Sequence, residues 1–259
     1  MPVDAAIPFL WGFLLTLSRV AGLFAFVPIP GIRNGPEAAR IVCSLALTVA
    51  LYPVWPLYPA GGGAQPAAGL LLVWMLSEAV FGITAGLAAA ALLEAFQFAA
   101  QVIGLQAGYS YAGTVDPNSD ADSSVLLVFA QMLGGCLFFA LGLDRAVVRA
   151  LAMNLEKLPA QSFLLSHSVV GSLVNLTSDI FTLGLRLAMP EVALLLLVDL
   201  CFAAMGRLQP QIQFISLSFS VKMLAALALL SLSLAAFPAV TERAATGTMA
   251  TLVRILSGR

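Results

Sequence analysis

From Gly69 to about Gly108 the chain is apolar almost without interruption, roughly twice the ~20 residues that one membrane-spanning helix requires. A run of that length admits one very long helix or two helices in succession. Five further apolar runs, Ile7 to Val27, Ile41 to Tyr58, Val125 to Leu143, Ile180 to Leu200 and Ile212 to Phe237, bring the hydropathy count to six or seven spans. The breakers lie between them: Pro28, Pro30 and Gly31, then Pro59 to Gly63, then Pro117 in a polar stretch. No period-two alternation competes, so the expected fold class is all-α and membrane-associated.

Composition closes off the soluble alternative. Hydrophobic residues make up 61% and charged residues 10% of the chain, against ~45–50% and ~25% in soluble domains. Twelve Lys and Arg with thirteen Asp and Glu are too few to cover a body of this size in water. A net charge of −1 offers no basic field, which argues against a nucleic-acid partner. Cys43, Cys136 and Cys201 each sit in an apolar run without a second ligand at metal spacing, so buried free thiols are expected and no metal or cofactor. Asp4 stands where a signal peptide would be basic, and Ile7 to Val27 reads as a retained membrane segment. Only a seven-span count places Arg33 and Arg40, Arg145, Arg149 and Lys157, and Arg243, Arg254 and Arg259 on one side, with the amino terminus outside.

Seven charges lie inside the runs: Arg19, Glu78, Glu94, Arg186, Glu191, Asp199 and Lys222. Each would cost about 2.5–3.5 kcal/mol or more at the lipid-facing centre of a span, so they are expected to face protein or water, as buried charges or subunit contacts. Mutual pairing in a packed assembly and a proton or ion path both remain open. Gly82, Gly86 and Ala90, and again Gly104 and Gly108, fall at helix-contact spacing, where small residues let helices approach closely.

The segment from Gly108 to Ser124 is of a different kind. It holds Tyr109, Tyr111, Gly113, Asp116, Pro117, Ser119, Asp120 and Asp122, three aspartates among small and aromatic residues with no cation. A solvated connector, with Asp116-Pro117 as a turn and Asp120 or Ser123 capping the next helix, explains part of it. The aspartates lack the glycine and closing glutamate of a calcium loop. His167, the sole histidine, has no nucleophile and acid at recognisable spacing, and Glu78 with Glu94 lacks a metalloprotease motif, so no catalytic residue is expected.

Around that segment the sequence resembles a known family. Gln101, Gly104, Gln106, Gly108 and Asp116-Pro117-x-Ser119, then Arg149-Ala150-Leu151 and Leu158-Pro159, resemble the FliR family of type III protein-export gates, whose injectisome members are called SctT. Ser18-Arg19, Pro28, Pro30-Gly31-Ile32-Arg33 and Arg40 resemble it too, as do Leu187-Ala188-Met189-Pro190, Arg207, Gln209-Pro210-Gln211-Ile212-Gln213 and Lys222. The last third is also similar to the small partner FliQ, a two-helix hairpin, and the part before it to FliP.

The resemblance implies a FliP-like part over residues 1–175 and a FliQ-like hairpin with its tail over 176–259. It implies a single copy packed with FliP-like and FliQ-like subunits, and an FlhB-like export-switch protein, in a helical hetero-oligomeric gate. That gate lies in the bacterial inner membrane at the flagellar basal body and passes unfolded export substrates; the Asp116 turn and Arg149-Ala150-Leu151 are closer to flagellar than to injectisome members. The 108–124 loop matches the family segment that plugs the closed channel. Read from the charges alone, the alternative is a small secondary transporter.

Overall fold

A computed structural model of the chain describes residues 3–27, 37–55, 68–109, 125–157, 167–208, 214–233, 242 and 246–247. These form α1 (Val3–Phe26), α2 (Glu37–Ala50), α3 (Ala68–Ala107), α4 (Val125–Ala140), α5 (Leu143–Lys157), α6 (His167–Leu208) and α7 (Phe214–Ser233), with a 3-10 turn at Tyr52–Val54. There is no strand among the described residues. The all-α membrane fold expected from the sequence is the fold observed.

The long apolar run is one helix. α3 has 40 residues and rises about 60 Å, twice the ~30 Å of a bilayer's hydrocarbon core. From Phe81 to Ala100 almost every apolar residue is buried, as expected of a helix that is hydrophobic all round. α6 is longer still, 42 residues with Pro190 inside it. It runs unbroken through Gly171 to Asp179, where the sequence suggests the joint between FliP-like and FliQ-like parts.

The hydropathy count of six or seven spans is corrected downward. Among the described residues, three helical segments are long and apolar enough to cross a membrane, Phe9–Phe26, Gly69–Ala107 and Leu173–Leu208, and the α4–α5 pair, bent by 61°, makes a fourth if taken as one broken span. α2 stops at Ala50 and rises only about 21 Å over its 14 residues, because Pro53 in the following 3-10 turn cannot continue an α-helical ladder. α7, with 20 residues, rises about 30 Å, just the thickness of the hydrocarbon core. With the α2 run gone as a crossing, the seven-span topology and the outside amino terminus it favoured lose their basis. At the α4–α5 bend Gly142 takes φ +67°, and its N–H donates to the Phe139 carbonyl at 2.9 Å.

The chain forms two compact units that interleave in sequence. The first comprises Met1–Ala91, Phe138–Thr177 and Ala245–Arg259; the second comprises Leu92–Leu137 and Ser178–Ala244. Residues 68–91 of α3 therefore belong to the first unit and 92–107 to the second.

The second unit has an alanine-rich core. Ala99, Ala100, Ile103 and Ala107 of α3 meet Leu126 and Ala130 of α4, Ala188 and Leu195 of α6, and Ala226 of α7. Small side chains bring four helices close, which is how apolar helices gain dispersion contacts when water supplies no drive. Gly184 lies against Phe98, whose ring meets Phe181 edge-on at 4.9 Å. The cysteines are free, as expected, but Cys136 and Cys201 are exposed on the isolated chain rather than buried. Their helices turn apolar faces outward, so membership of an apolar run did not mean membership of the core.

In the first unit glycine sets the distance between α1 and α3. A Cβ at Gly22 would collide with the backbone at Ala79 and Ile83, one at Gly82 with the Arg19 carbonyl, and one at Gly86 with the Leu23 carbonyl. Backbone cannot rotate away as a side chain can. Gly82→Ala is therefore expected to destabilise the chain by about 1–3 kcal/mol through overpacking, although helix propensity alone would favour alanine by ~0.8–1.0 kcal/mol. Gly171→Ala, in a helix with open space around it, is expected to show the propensity gain. Thermal unfolding of both variants in the same detergent reads the two opposite signs.

Candidate functional site

The charges singled out in the sequence separate into distinct groups. In the first unit, Arg19 of α1, 2% exposed, and Glu78 of α3, 1% exposed, form an ion pair. The Arg19 Nε and Nη2 both approach Glu78 Oε2 at 2.5 Å, and Nη1 donates to Asn154 Oδ1 of α5 at 2.6 Å. The guanidinium lies 4.8 Å from the centre of the Phe81 ring. One cation thus ties three helices together, with its charge neutralised and two of its nitrogens held on one carboxylate oxygen. Gly22 and Gly82 permit this pairing, because they sit one turn from Arg19 and Glu78 on the faces where the helices touch.

Asn154 is the partner that inspection of charges misses. It was legible in another way: Val147, Leu151, Asn154 and Leu155 share the buried stripe of α5, and an asparagine on such a stripe implies a buried polar partner.

In the second unit the polar groups gather where α3 ends. Gly108 adopts φ +87°. The Tyr109 N–H donates to the Gly104 carbonyl at 3.0 Å and the Gly108 N–H to the Leu105 carbonyl at 3.2 Å, the pair of bonds that closes a Schellman C-cap. Gly104 thus has a stated place in the helix end as the acceptor of the cap.

Beyond the cap, Tyr109 Oη donates to the Met223 carbonyl of α7 at 3.0 Å, and partial burial pushes the phenol above its usual pKa. The hydroxyl therefore remains a donor throughout the neutral range. Two residues before Gly108, Gln106 Nε2 donates to Asp199 Oδ2 of α6 at 2.9 Å. Asp199 Oδ1 pairs with Lys222 Nζ of α7 at 2.9 Å, and the ammonium lies 5.4 Å from the centre of the Phe219 ring. The end of α3 is thereby fixed to α6 and α7 by side chains from Gln106 and Tyr109. Asp199 is 37% exposed at its side chain, so solvent weakens this pair relative to the one in the first unit.

The remaining charges are more dispersed. Glu94 is half-buried and accepts a long hydrogen bond, 3.5 Å, from Gln97 Nε2; Gln97 Oε1 in turn accepts from Gln131 Nε2 of α4 at 3.1 Å. Glu191 is 5% exposed, in the wall of an apolar cavity of about 30 Å³. Arg186 is exposed on α6. Of the 108–124 loop, Gly108 and Tyr109 are placed as above, while Tyr111, Gly113, Asp116, Pro117, Ser119, Asp120 and Asp122 lie outside the described residues. Among the described residues no cluster of His, Cys, Asp or Glu is arranged to hold a metal ion.

Two outcomes test this geometry. Glu78→Ala is expected to cost about 3–5 kcal/mol by stranding the Arg19 charge, whereas the double variant Arg19→Met with Glu78→Leu is expected to be markedly milder; a cycle of melting temperatures over both singles and the double checks it. At the end of α3, an added Cβ on Gly108 would come within 2.7 Å of the Phe219 ring, while one on Gly142, also at positive φ, meets open space. Both alanine variants carry the left-handed penalty of ~1–2 kcal/mol, and Gly108→Ala is expected to lose more, with the excess removed by Phe219→Ala.

Comparison with known proteins extends over almost the whole chain. The family model for bacterial export proteins, family 1, matches residues 10–247. The chain is 27% identical over 216 residues to the flagellar biosynthetic protein FliR of Escherichia coli (strain K12), covering 83% of this chain and 81% of that protein. Identity is 26% over 226 residues with the protein of the same name from Aquifex aeolicus (strain VF5), with 87% and 86% covered. With that of Bacillus subtilis (strain 168) it is 23% over 213 residues, with 81% of each covered. The matched region contains α2 to α7, most of α1 and all seven charges, and on that extent the chain belongs to the bacterial export proteins, family 1.

Proposed function

We propose that this chain is a non-enzymatic core subunit of the flagellar protein-export gate in the bacterial inner membrane. In this reading it forms part of the protein-conducting channel, in a single copy beside FliP-like and FliQ-like subunits and an FlhB-like switch protein, and its 108–124 loop plugs the closed channel. The observation that carries the reading is the family match from residue 10 to 247, with relatives named as flagellar biosynthetic proteins along more than four-fifths of their length.

The geometry supports an assembly rather than a lone carrier. α3 and α6 each rise about 60 Å or more, and even a 40° tilt leaves ~45 Å to be placed across a core of ~30 Å. The surplus length is as apolar as the rest, so protein must cover it. α6 has the greater need: only 17% of its Leu173–Leu208 window is buried inside the chain, with Val174, Phe181, Leu185, Leu196 and Leu200 among its exposed residues. Arg19 with Glu78 and Asp199 with Lys222 satisfy each other within the fold. Four of the seven charges thus serve packing, which favours the structural reading over an ion path.

The plug role draws support from the way α3 ends. The Schellman cap and the Gln106 and Tyr109 bonds give the loop a fixed root, while its own sequence, small and acidic, is suited to leave a narrow lumen for water without exposing a core. Deleting residues 110–124 while keeping Gly108 and Tyr109 is expected to leave the complex assembled, with the membrane of expressing cells newly permeable to small hydrophilic solutes. A deletion complex of unchanged stoichiometry that stays as tight as the parent would end the plug assignment.

A further inference from the structure

The side-chain contacts that fix the end of α3 converge on one carboxylate. Asp199 of α6 uses its two oxygens on different helices: Oδ2 accepts from Gln106 Nε2 of α3 and Oδ1 pairs with Lys222 Nζ of α7, both at 2.9 Å. Phe219, Lys222 and Met223 follow one another on α7 at i, i+3 and i+4, the spacing of a single helix face. The Phe219 ring stands 2.7 Å from where a Cβ of Gly108 would be. The Lys222 ammonium meets Asp199, and the Met223 carbonyl accepts from Tyr109 Oη at 3.0 Å. Gln106, Gly108 and Tyr109 therefore rest on one seat, and Asp199 joins its α6 side to its α7 side.

The ammonium ties the α7 side together. Lys222 is 9% exposed, is paired with Asp199, and lies 5.4 Å from the centre of the Phe219 ring. With Asp199 uncharged, a largely buried cation loses its anion and must turn toward water. The turn of α7 that would move with it also carries Phe219 and Met223, so the contacts at Gly108 and Tyr109 would loosen together with the one at Gln106. The pair is also reversible in a way that Arg19 with Glu78 is not. Those two side chains are 2% and 1% exposed, whereas that of Asp199 is 37% exposed. Water competes with a half-exposed pair and salt screens it, while a pair sealed from solvent feels little of either.

We propose that Asp199 is a positioning residue, a releasable hold that sets the end of α3 and with it the point from which the 108–124 loop departs. Its charge, rather than its bulk, keeps the α7 face on Gly108 and Tyr109. The seat consists of described side chains alone; only its consequence for permeability in cells rests on the plug role given to the loop above.

Hydrogen exchange tests the hold, read over residues 104–109 of the full chain extracted with whatever accompanies it. Asp199→Asn, which keeps the size of the side chain and an acceptor for Gln106, is expected to speed exchange there about tenfold. Asp199→Lys combined with Lys222→Asp is expected to recover most of the protection. Raising salt from about 50 to about 500 mM is expected to speed exchange in the parent about threefold. The same change should leave Asp199→Asn, and the α5 stretch around the buried Asn154, as they were. Exchange that is equal in parent and Asp199→Asn, or indifferent to salt in the parent, overturns the proposal, and the salt response decides alone if the variant does not fold. Solute leak in cells separates this proposal from the plug. Faster exchange in Asp199→Asn beside a tight loop deletion upholds the hold and ends the plug; a leaky loop deletion beside unchanged exchange in Asp199→Asn upholds the plug and ends the hold.

Discussion

The close approach of α1 and α3 governs the first unit, and it is a matter of missing side chains. Gly22 and Gly82 remove the atoms that would hold the two backbones apart. Only at that separation does the Arg19 guanidinium reach Glu78 with its charge fully withdrawn from solvent. Burying the pair is expensive, and it is tolerated because Asn154 and the Phe81 ring take up the rest of the guanidinium's bonding surface. The glycines and the ion pair therefore depend on each other: widening the crossing would leave two desolvated charges without contact. Such a pair gives specificity more readily than net stability.

A second constraint comes from length. A helix of about 60 Å that is apolar along most of its length satisfies its backbone anywhere, but its side chains still need cover wherever it leaves the bilayer. The middle of α3 solves this internally, with alanines from residue 85 to 100 drawn into contact on every side. α6 does not; it presents leucine, phenylalanine and methionine outward along most of its course. The chain thus combines a self-sufficient helix with one completed by other molecules, lipid or protein. This difference is why overall hydrophobicity identified a membrane protein yet miscounted its crossings.

The all-helical class, the continuous α3 run and the charges needing partners were legible in the sequence. Whether Gly69 to Gly108 was one helix or two was not, because an unbroken apolar run carries no period to place a turn and its glycines lie at contact spacing rather than at a break. α6 was under-read for the opposite reason. Asn175, Thr177, Ser178 and Asp179 break its hydropathy ahead of Ile180, although polar residues on an exposed face do not stop a helix. Pairings were out of reach: Arg19 and Glu78 are 59 residues apart and Gln106 and Asp199 93, and no local rule links such positions. What could be read locally was Asn154 on an apolar stripe.

The end of α3 shows how a rigid fold can serve a loop whose composition is that of solvent. A helix that simply frayed at Gln106 would transmit its motion to everything after it. Here the left-handed Gly108 closes the last carbonyls, Gln106 is held by an aspartate that is itself held by Lys222, and Tyr109 spends its hydroxyl on the backbone of α7. Two side-chain bonds to two other helices fix the end of α3 within the four residues from Gln106 to Tyr109. Because the tyrosine bonds to a main-chain carbonyl, the anchor does not rely on the identity of residue 223. Because Phe219 packs directly on Gly108 and also underlies the Lys222 ammonium, a side chain at position 108 would disturb the ion pair as well as the turn. The glycine is thus required twice, once by its dihedral angle and once by the ring that closes over it.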